Sequence, residues 1–460
     1  MHEYVNKKLT ENGFNNINLH PYTIIKVCDE WYSNEPVFDF HNRKTIQGVP
    51  YELARLNFAK RVCSDEANLC EIVEINAGSN KRQFETVKRI FKDSNFDVMY
   101  REQLERMTAD GTTGAYIRLD NATVYKDGSI QGGDININYV DAKGIIPLTI
   151  VNKEVTECAF MGTSVRETKV ITTLVIFRMK KGIYYSSTYE CEESGKETYV
   201  LENVRLGEVK PFSIMRNAEV NNLEKMEGFG LPKLWNAVPY LKALDLCYNL
   251  LYSDLDKGEK LILVNEMLCE FNEEGRPVLT PEQKKLFVLL GEKLPADKEV
   301  YHEFNPEIRV EAIIKAFEAC LSLLSLQFGF GTKKYTFEDG RITTATEYAG
   351  TKQDQLQELN KQRQQAVKYI TELARAVMWY SNTFKGTAFD LETEIKVDFN
   401  DSYINDEQAE LEDMRNDALQ FGSRQLTLWY LQKKYNLSEE EAAALLPEEK
   451  KEDEEEDSEE

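Results

Sequence analysis

The stretch that decides the fold is NPEIRVEAIIKAFEACLSLLSLQFGFG, residues 305–331. Asn305 and Pro306 are typical of an N-cap and a first helical position, and apolar residues then recur at three- and four-residue spacing. Phe328-Gly-Phe-Gly331 ends this pattern, because glycine accepts the left-handed backbone that terminates helices. The sequence therefore predicts an apolar helix over 305–328 followed by a bend.

A second and much longer helix is predicted after a polar loop. Thr344-Ala-Thr-Glu347 is typical of a capping box, in which two side chains satisfy the first free backbone N–H groups. No proline follows until beyond Phe384, which predicts a rod of about 60 Å at 1.5 Å per residue. Its apolar positions alternate in steps of four and three, as in a coiled-coil seam, although Lys352 and Arg363 occupy two of them. We expect the glutamine-rich middle, 352–365, to face water while the ends pack.

The loop between these helices is longer than most helix-to-helix connections. It has about ten residues against a usual ~2–8, which indicates that the loop itself has a task. From this feature alone, two interpretations stay open: an ordinary antiparallel helical hairpin, or a subunit built around a channel. Lys333, Lys334 and Arg341 place positive charge on the loop, and Gly329 and Gly331 allow it to bend or shift.

The composition is that of a globular chain. Of 460 residues, 42% are hydrophobic and 29% are charged, which is enough for roughly two to four domains with a substantial core. There is no run of eighteen apolar residues and no signal-peptide pattern in 1–16, so we expect a protein made and kept in a cytoplasm. The eight cysteines contain no CxxC pair and favour buried free thiols. They are Cys28, Cys63, Cys70, Cys158, Cys191, Cys247, Cys269 and Cys320.

The formal charge of −23 is unevenly distributed. Residues 438–460 carry thirteen acids against two lysines, a net −11, so the rest of the chain carries −12. Residues 448–460 contain no apolar side chain and predict a disordered acidic tail, most simply one that aids solubility. An acidic body argues against a protein that grips DNA through a broad basic face, but not against a conduit through which DNA slides.

Hydrophobic periodicity predicts a helical start, a β-rich layer over 114–204, and helices thereafter. The predicted helices are 22–32, 51–62, 85–91, 231–255 (with Pro232 or Pro239 near its start), 280–290, 406–419, 423–435 and 438–446. The predicted strands are 115–119, 135–139, 170–177, 182–185, 260–264, 299–304 and 395–399, with turns at 126–128 and 132–133.

This order of parts resembles the portal proteins of tailed double-stranded DNA bacteriophages. Local stretches resemble the family as well: 24–32 with Trp31-Tyr32, 131–147 ending Val140-Asp-Ala-Lys-Gly-Ile-Ile-Pro147, 248–256, Thr344-Ala-Thr-Glu-Tyr348, and Val397-Asp-Phe-Asn-Asp401 followed by Asp406. The resemblance covers nearly the whole chain. Its specificity comes from the order of the pieces, and the acidic tail after Pro447 matches no part of the pattern.

The resemblance implies an α+β subunit with a helical and β-rich wing, a two-helix stem, a small α/β clip, a long kinked tunnel helix and a helical crown. It implies a non-enzymatic protein that works as a closed ring, usually a dodecamer, at one capsid vertex. The terminase large subunit packages double-stranded DNA through such a ring, and the genome later exits through it. Head-completion or adaptor proteins dock onto it, and major capsid and scaffolding proteins are further partners. No membrane is implied, and the protein belongs to the virion after assembly in the host cytoplasm.

The resemblance also divides the chain into segments. The wing is 1–230 (helical to about 113, β-rich over 114–204), the stem helices are 231–255 and 305–328, the clip is 256–304, the tunnel loop 329–341, the tunnel helix 342–384, the return strand 385–404, the crown 405–447 and the tail 448–460. On the loop, Lys333, Lys334 and Arg341 are expected to touch DNA phosphates transiently, with three solvated charges as the alternative. Gly329 and Gly331 are the expected hinge.

Motifs for enzyme chemistry are absent from the sequence. It contains no Walker A loop, no HExxH or HxxxH pair and no Gly-x-Ser-x-Gly elbow, so no catalytic residue, metal ligand or cofactor is predicted. Asp127, Gly128 and Asp134 lack the twelve-residue calcium pattern and favour a hairpin turn. Glu270, Glu273 and Glu274 predict a solvated turn that could serve docking. Two rivals to the portal remain: another ring-forming or coiled-coil head–tail adaptor, and a packaging nuclease or NTPase. The four histidines, predicted to be surface or packing residues, are His2, His20, His41 and His302.

Overall fold

The chain has an α+β fold with two compact units, Met1–Asp398 and Phe399–Glu460. The structure is a computed structural model that describes residues 3–45, 47–78, 80–124, 130–257, 261–265, 287–290, 301–304, 309–332, 334–335, 345–399, 407–435, 437 and 439–446. Among these residues, no helix has both the length and the apolar character needed to cross a bilayer.

Helices dominate the start of the larger unit. They are α1 (Glu3–Glu11), α2 (His20–Tyr32), α3 (Phe38–His41), α4 (Phe58–Ala67), α5 (Lys81–Asp93) and α6 (Phe96–Asp110), interleaved with strands β1 (Asn42–Lys44), β2 (Pro50–Glu52) and β3 (Ile72–Asn76). The predicted helices 22–32 and 85–91 are confirmed as α2 and α5. Helix α6 was not predicted, because its polar Gln103, Glu105 and Asp110 are buried and interrupt the apolar period.

The prediction of a helix over 51–62 is wrong in its first half. Residues Pro50–Glu52 pair with Asn42–Lys44 in an antiparallel hairpin, and the helix begins only at Phe58. Side chains of a distant helix hold the chain between them extended: the Asn249 amide exchanges two hydrogen bonds with the Ala54 backbone, at 2.9 and 2.8 Å. These bonds replace the i−4 carbonyls that a helix would have supplied.

Two antiparallel sheets follow. Their strands are β4 (Thr112–Asp120), β5 (Thr123–Val124), β6 (Ile130–Gln131), β7 (Asp134–Asp141), β8 (Ile145–Val151), β9 (Glu154–Arg166), β10 (Lys169–Lys180), β11 (Ile183–Glu192), β12 (Glu197–Arg205) and β13 (Phe212–Arg216). The larger sheet has the order β12-β11-β10-β9-β8 and the smaller one β13-β4-β7, while β5 and β6 pair with each other. All four predicted strands of the β-rich layer are confirmed. The hairpin expected near Asp134 is confirmed for the described residues, since β4 pairs with β7 and Gly132 and Gly133 have positive φ.

Apolar clusters lie on both faces of the larger sheet, since successive side chains of each strand point to opposite faces. Phe160, Phe177 and Phe212 cluster between the two sheets, with the Phe160 and Phe212 rings 5.5 Å apart. On the opposite face, helix α1 buries Val5 and Leu9 against strands β10 and β11. The polar N-terminal segment therefore contains an amphipathic helix, whose apolar side covers one face of the larger sheet.

Next in the chain are two antiparallel helices, and a small sheet lies between them in sequence. The helix pair is α7 (Lys233–Lys257) and α8 (Val310–Gln327), and the small sheet has the order β15-β14-β16, with β14 (Leu261–Asn265), β15 (Phe287–Leu290) and β16 (Tyr301–Phe304). The helix over 231–255 and the strands over 260–264 and 299–304 are confirmed within the described residues. Pro239 lies inside α7, after a start at Lys233. The predicted caps Asn305 and Pro306 lie outside the described residues.

The predicted helix over 280–290 is wrong at its end. Phe287–Leu290 forms strand β15, parallel to β14, with Val288 opposite Leu263. Four consecutive apolar residues suit a buried strand as well as a helix, so pairing with β14 decided the outcome. The first part of the predicted helix lies outside the described residues, as do Glu270, Glu273, Glu274 and Asp127.

The long rod is confirmed as helix α9 (Ala345–Lys385), 41 residues in length. From Leu359 onwards it packs into the larger unit, and Tyr369, Ile370 and Val377 are fully buried. The expectation that 352–365 faces water is wrong at Leu359 and Gln362, each of which is 3% exposed. Strand β17 (Lys396–Phe399) then pairs with β3, confirming the strand predicted over 395–399.

The second unit confirms the three helices predicted after residue 405. They are α10 (Glu407–Phe421), α11 (Arg424–Tyr435) and α12 (Glu439–Ala444). Several large apolar side chains on this unit are exposed: Leu419, Phe421, Trp429, Tyr435 and Leu445.

Seven of the eight cysteines fall among the described residues, all as free thiols. Cys28, Cys63, Cys70, Cys158 and Cys191 are buried, as expected. Cys247 and Cys320 are only half-buried, against expectation, and Cys269 lies outside the described residues.

Asp110 makes the stability of the larger unit depend on pH. The side chain is 1% exposed, and burial, followed by the nearby Asp29 charge, raises its pKa to about 8. An unfolded aspartate titrates near pH ~4, so between about 4 and 8 the folded state binds the extra proton and stability falls as pH rises. We expect Asp110→Asn to remove this slope in urea unfolding measured from pH 5 to 8. The exposed Asp97→Asn, on the same helix, should keep it, and an unchanged slope in Asp110→Asn would contradict the assignment.

Candidate functional site

The bend Phe328–Gly331 caps the C-terminus of helix α8. Gly329 has φ +75°, and its N–H donates to the Leu326 carbonyl at 3.0 Å. The Phe330 N–H donates to the Ser325 carbonyl, also at 3.0 Å. These two bonds form a Schellman motif, which requires a left-handed residue that glycine adopts without strain. Gly331 has φ +73° and turns the chain a second time.

Aromatic side chains anchor the bend in the core. Phe328 and Phe330 are nearly parallel, with ring centroids 6.2 Å apart, and both are buried. Tyr335 meets Phe330 and Phe58 edge-on, and its hydroxyl donates to Asp65 on α4 at 2.8 Å. Burial and this carboxylate raise the pKa of Tyr335. Both ends of the 330–335 turn are therefore tied to the larger unit.

A buried ammonium lies directly beneath the bend. Lys233, the first residue of α7, is 1% exposed, and its Nζ lies 2.6 Å from a Glu66 carboxylate oxygen and 3.5 Å from Glu219. The same nitrogen lies 6.0 Å from the centroid of the Phe328 ring. Gln362 of the rod donates to Glu66 at 3.2 Å. Helices α4, α7 and α9 and the end of α8 thus converge on one charge.

Polar contacts fix the rod against strand β13 and its neighbours. Ser213 donates to Glu372 at 2.6 Å, and Lys368 pairs with Glu154 at 2.7 Å. Burial acts to raise the pKa of Glu154, but the Lys368 and Arg216 cations outweigh it and hold the pKa below its usual value. Because each contact needs one register, the rod is held in a single position along the larger unit.

The predicted loop residues are only partly covered by the structure. Lys334 is exposed, with its Nζ 5.7 Å from the centroid of the Phe330 ring. Lys333 and Arg341 lie outside the described residues. Gly329 and Gly331 do have the positive φ angles that the sequence predicted, and their role as a hinge stays a prediction.

The helix pair carries several exposed apolar side chains. Leu241 and Leu244 are buried, and Tyr248, Tyr252 and Leu255 continue their row by helical spacing yet are exposed. Leu246 and Leu250 lie on the opposite face and are exposed too. The exposed apolar residues of α8 are Ile314, Leu323 and Leu326. Sequence spacing did not separate these residues from the core, because both kinds follow the same pattern.

A buried His41–Asp245 pair resembles part of a catalytic constellation but serves packing. The Val37 N–H donates to Nδ1 of His41 at 2.9 Å, so Nε2 carries the proton and donates to Asp245 at 3.1 Å. The other Asp245 oxygen accepts from the Leu56 N–H at 3.0 Å. Both ring nitrogens are occupied, and the adjacent cavity measures about 10 Å³, which is no larger than one water. His20 is exposed, and the side chains of His2 and His302 lie outside the description.

Two clefts of about 550 and 690 Å³ lie between the two sheets and share the side chains of Arg118 and Arg166. Each guanidinium is already paired: Arg118 donates to Asp120 at 2.7 Å, and Arg166 binds Glu190 through two bonds of 3.0 and 3.1 Å. In the described part of the chain, no group of three or more His, Cys, Asp or Glu side chains is arranged to hold a metal ion.

A comparison with protein-family models and a comparison with curated proteins both find no match to this chain.

The Lys233 ammonium should be essential for the stability of the junction beneath the bend. Lys233→Met removes the cation that Glu66 and Glu219 face, and loss of one partner of a buried pair costs about 3–5 kcal/mol. Urea unfolding at pH 7 measures this loss. Lys7→Met is the matched control: Lys7 is exposed and 4.0 Å from Glu11, so its removal should change stability by less than about 0.5 kcal/mol. Equal effects of the two variants would contradict the proposed importance of the buried charge.

Proposed function

We propose that this chain is the subunit of a phage portal: a closed ring through which viral DNA is packaged and later released. The observation that carries the proposal is the helix pair, whose α7 is apolar on opposite faces towards its end. A surface helix of a single folded chain normally has one apolar face, which packs against the core. Large exposed apolar areas of this kind mark interaction surfaces.

Cyclic symmetry supplies the missing cover in a simple way. Each subunit of a ring has two neighbours, which contact two different surfaces of the same chain. The row Tyr248, Tyr252 and Leu255 and the opposite pair Leu246 and Leu250 are two such surfaces. In this proposal the helix pair is the stem, the small sheet is the clip, the rod is the tunnel helix, and residues 329–341 form the tunnel loop.

The small sheet supports a portal over a simpler coiled-coil adaptor. It lies in sequence between the two members of the helix pair. A coiled-coil adaptor would have no use for this insertion. Under the proposal the sheet is the surface that meets the terminase large subunit or a head-completion protein, while capsid and scaffolding proteins contact the periphery of the ring.

The ring is the first test of this proposal. Mass photometry and negative-stain images of the purified chain should show particles of about 640 kDa with an axial hole if twelve chains of 53.1 kDa assemble. Leu246→Glu with Leu250→Glu should yield single folded chains, because two glutamates would have to be desolvated at every interface of the ring. Val220→Glu, at a side chain 84% exposed on the larger unit, is the control and should still give rings. A wild-type chain that stays monomeric at micromolar concentration would sink the proposal.

The loop charges are tested separately from ring formation. We expect the triple variant Lys333→Ala, Lys334→Ala, Arg341→Ala to form normal rings but to lower the amount of nuclease-protected DNA in heads, because transient phosphate contacts are lost. The control removes three exposed lysines of the larger unit in the same way: Lys7→Ala, Lys26→Ala and Lys81→Ala. If both triple variants package like the wild type, the three loop charges are solvated and have no part in DNA movement.

A further inference from the structure

Helix α5 carries cations along its exposed side, in a chain that is acidic as a whole. The helix contains five lysines and arginines against two acids, a net +3, whereas the chain carries −23. Its buried residues recur at helical spacing and are Gln83, Val87, Ile90 and Phe91. The opposite side of the helix is charged and exposed, and it consists of Lys81, Arg82, Glu85, Lys88, Arg89 and Lys92.

Contacts on the buried side fix α5 to the larger unit. The Gln83 amide donates to the Ala77 carbonyl at 3.0 Å, and its oxygen accepts from the Asp390 N–H at 3.0 Å. Phe91 packs against Phe96, with ring centroids 4.6 Å apart. The cations therefore project from a helix that is already ordered, and a partner that binds them does not have to order the backbone.

Three of the five cations, Arg82, Arg89 and Lys92, make no ion pair with any residue that the structure describes. By helical spacing they form one row along the exposed side, about 15 Å long at 1.5 Å per residue. Lys81 and Lys88 lie 3.9 and 3.6 Å from one exposed glutamate carboxylate each. Exposed pairs of this kind contribute little to stability and are screened by salt.

We propose that this basic row, Arg82, Arg89 and Lys92, binds the phosphate backbone of double-stranded DNA. A duplex carries one negative charge for about every 1.7 Å of its axis, so a row of about 15 Å faces roughly nine phosphates. Lysine and arginine side chains bind phosphate oxygens without reading the bases. The contact is therefore independent of DNA sequence, and its affinity falls as salt rises.

The exposed side of α5 fits DNA better than it fits other anionic partners. A helix that lies in a lipid surface turns its apolar face towards the membrane, but the apolar face of α5 is buried in the fold. The centre of a protein–protein interface is depleted of charged residues, whereas every residue of the basic row is charged. Charge is the property that this surface presents, and DNA is the partner with a regular array of opposite charges.

The basic row adds a DNA contact beyond the proposed tunnel loop. The row belongs to residues 82–92, whereas the loop is 329–341. Screening limits the repulsion from distant acids, because exposed charges interact mainly within about 8–10 Å at physiological salt. All three cations lie on one helix of one chain, so the contact does not require a ring. Where a ring forms, each copy adds its own row, and weak contacts with the same DNA act together.

The salt dependence of DNA binding tests the basic row. Fluorescence anisotropy of the full-length protein with a duplex of about 16 base pairs measures the affinity from about 50 to 200 mM salt. The triple variant Arg82→Gln, Arg89→Gln, Lys92→Gln should lower the slope of log K against log salt by about 2.7, which is about 0.9 for each lost phosphate contact. Glutamine has nearly the helix propensity of lysine and arginine, so α5 should persist.

The matched control removes the same charge from exposed lysines on three other elements: Lys7→Gln, Lys26→Gln and Lys169→Gln. We expect it to keep the wild-type slope, because these lysines lie outside the row. Circular dichroism of both triple variants checks that they fold.

Equal slopes for the two triple variants would overturn the proposal, as would the absence of wild-type binding at about 50 mM salt. Poly-glutamate that binds the row as tightly as the duplex would also overturn it, because the partner would then be an acidic protein segment. The proposed ring is judged by particle size, which none of these results changes.

Discussion

The described structure depends above all on one buried charge, the ammonium of Lys233. Desolvating an ammonium costs several kcal/mol, which only partners placed around it can offset. Those partners come from separate elements, Glu66 on α4 and Glu219 in the segment before α7, while Gln362 of the rod donates to the same Glu66. The charge is therefore satisfied only when all these elements are in place together. Such a network specifies one arrangement more strongly than apolar packing does.

The bend is a consequence of the same arrangement. Phe328 lies beside the Lys233 ammonium, and the Schellman bonds that follow turn Phe330 back into the core. Glycine at 329 is required because the left-handed backbone costs other residues about 1 kcal/mol or more. The bend is thus anchored on its inner side, while Thr332 and Lys334 are exposed on its outer side. Under the proposed function, an anchored base with an exposed rim is what a loop that contacts passing DNA needs.

Much of this fold could be predicted from local sequence, because glycine, proline and the apolar period act over short distances. The rod and its end, the helices after residue 405 and the strands around Ile171 and Ile137 follow from such signals. The wrong predictions have a different cause, which is contact between residues far apart in sequence. The backbone of Ala54 is hydrogen-bonded to Asn249, which is 195 residues away in sequence. The buried side chain of Gln362 is hydrogen-bonded to Glu66, which is 296 residues away. No local pattern reports a partner at that distance.

The candidate site shows the same division between local and distant causes. Gly329 and Gly331 were identified from their sequence, since a terminated helix needs a left-handed residue. Lys233 was not, because a lysine at the start of an amphipathic helix usually faces water, and only Glu66 and Glu219 reveal otherwise. The buried side chains that hold the bend were therefore invisible before the elements were brought together.

The exposed apolar row on α7 is the feature of the single chain that favours an assembly of several copies. Leu241, Leu244, Tyr248, Tyr252 and Leu255 form one continuous stripe by helical spacing, but the chain covers only its first part. Burial of the exposed part of this stripe against another surface would be favourable by about 25 cal/mol for each Å² of apolar surface removed from water. In the proposed ring, a neighbouring copy would cover this row with its opposite surface, which carries Leu246 and Leu250. Under the proposed function, repetition of the chain around an axis would bury the half of the stripe that is exposed in a single chain.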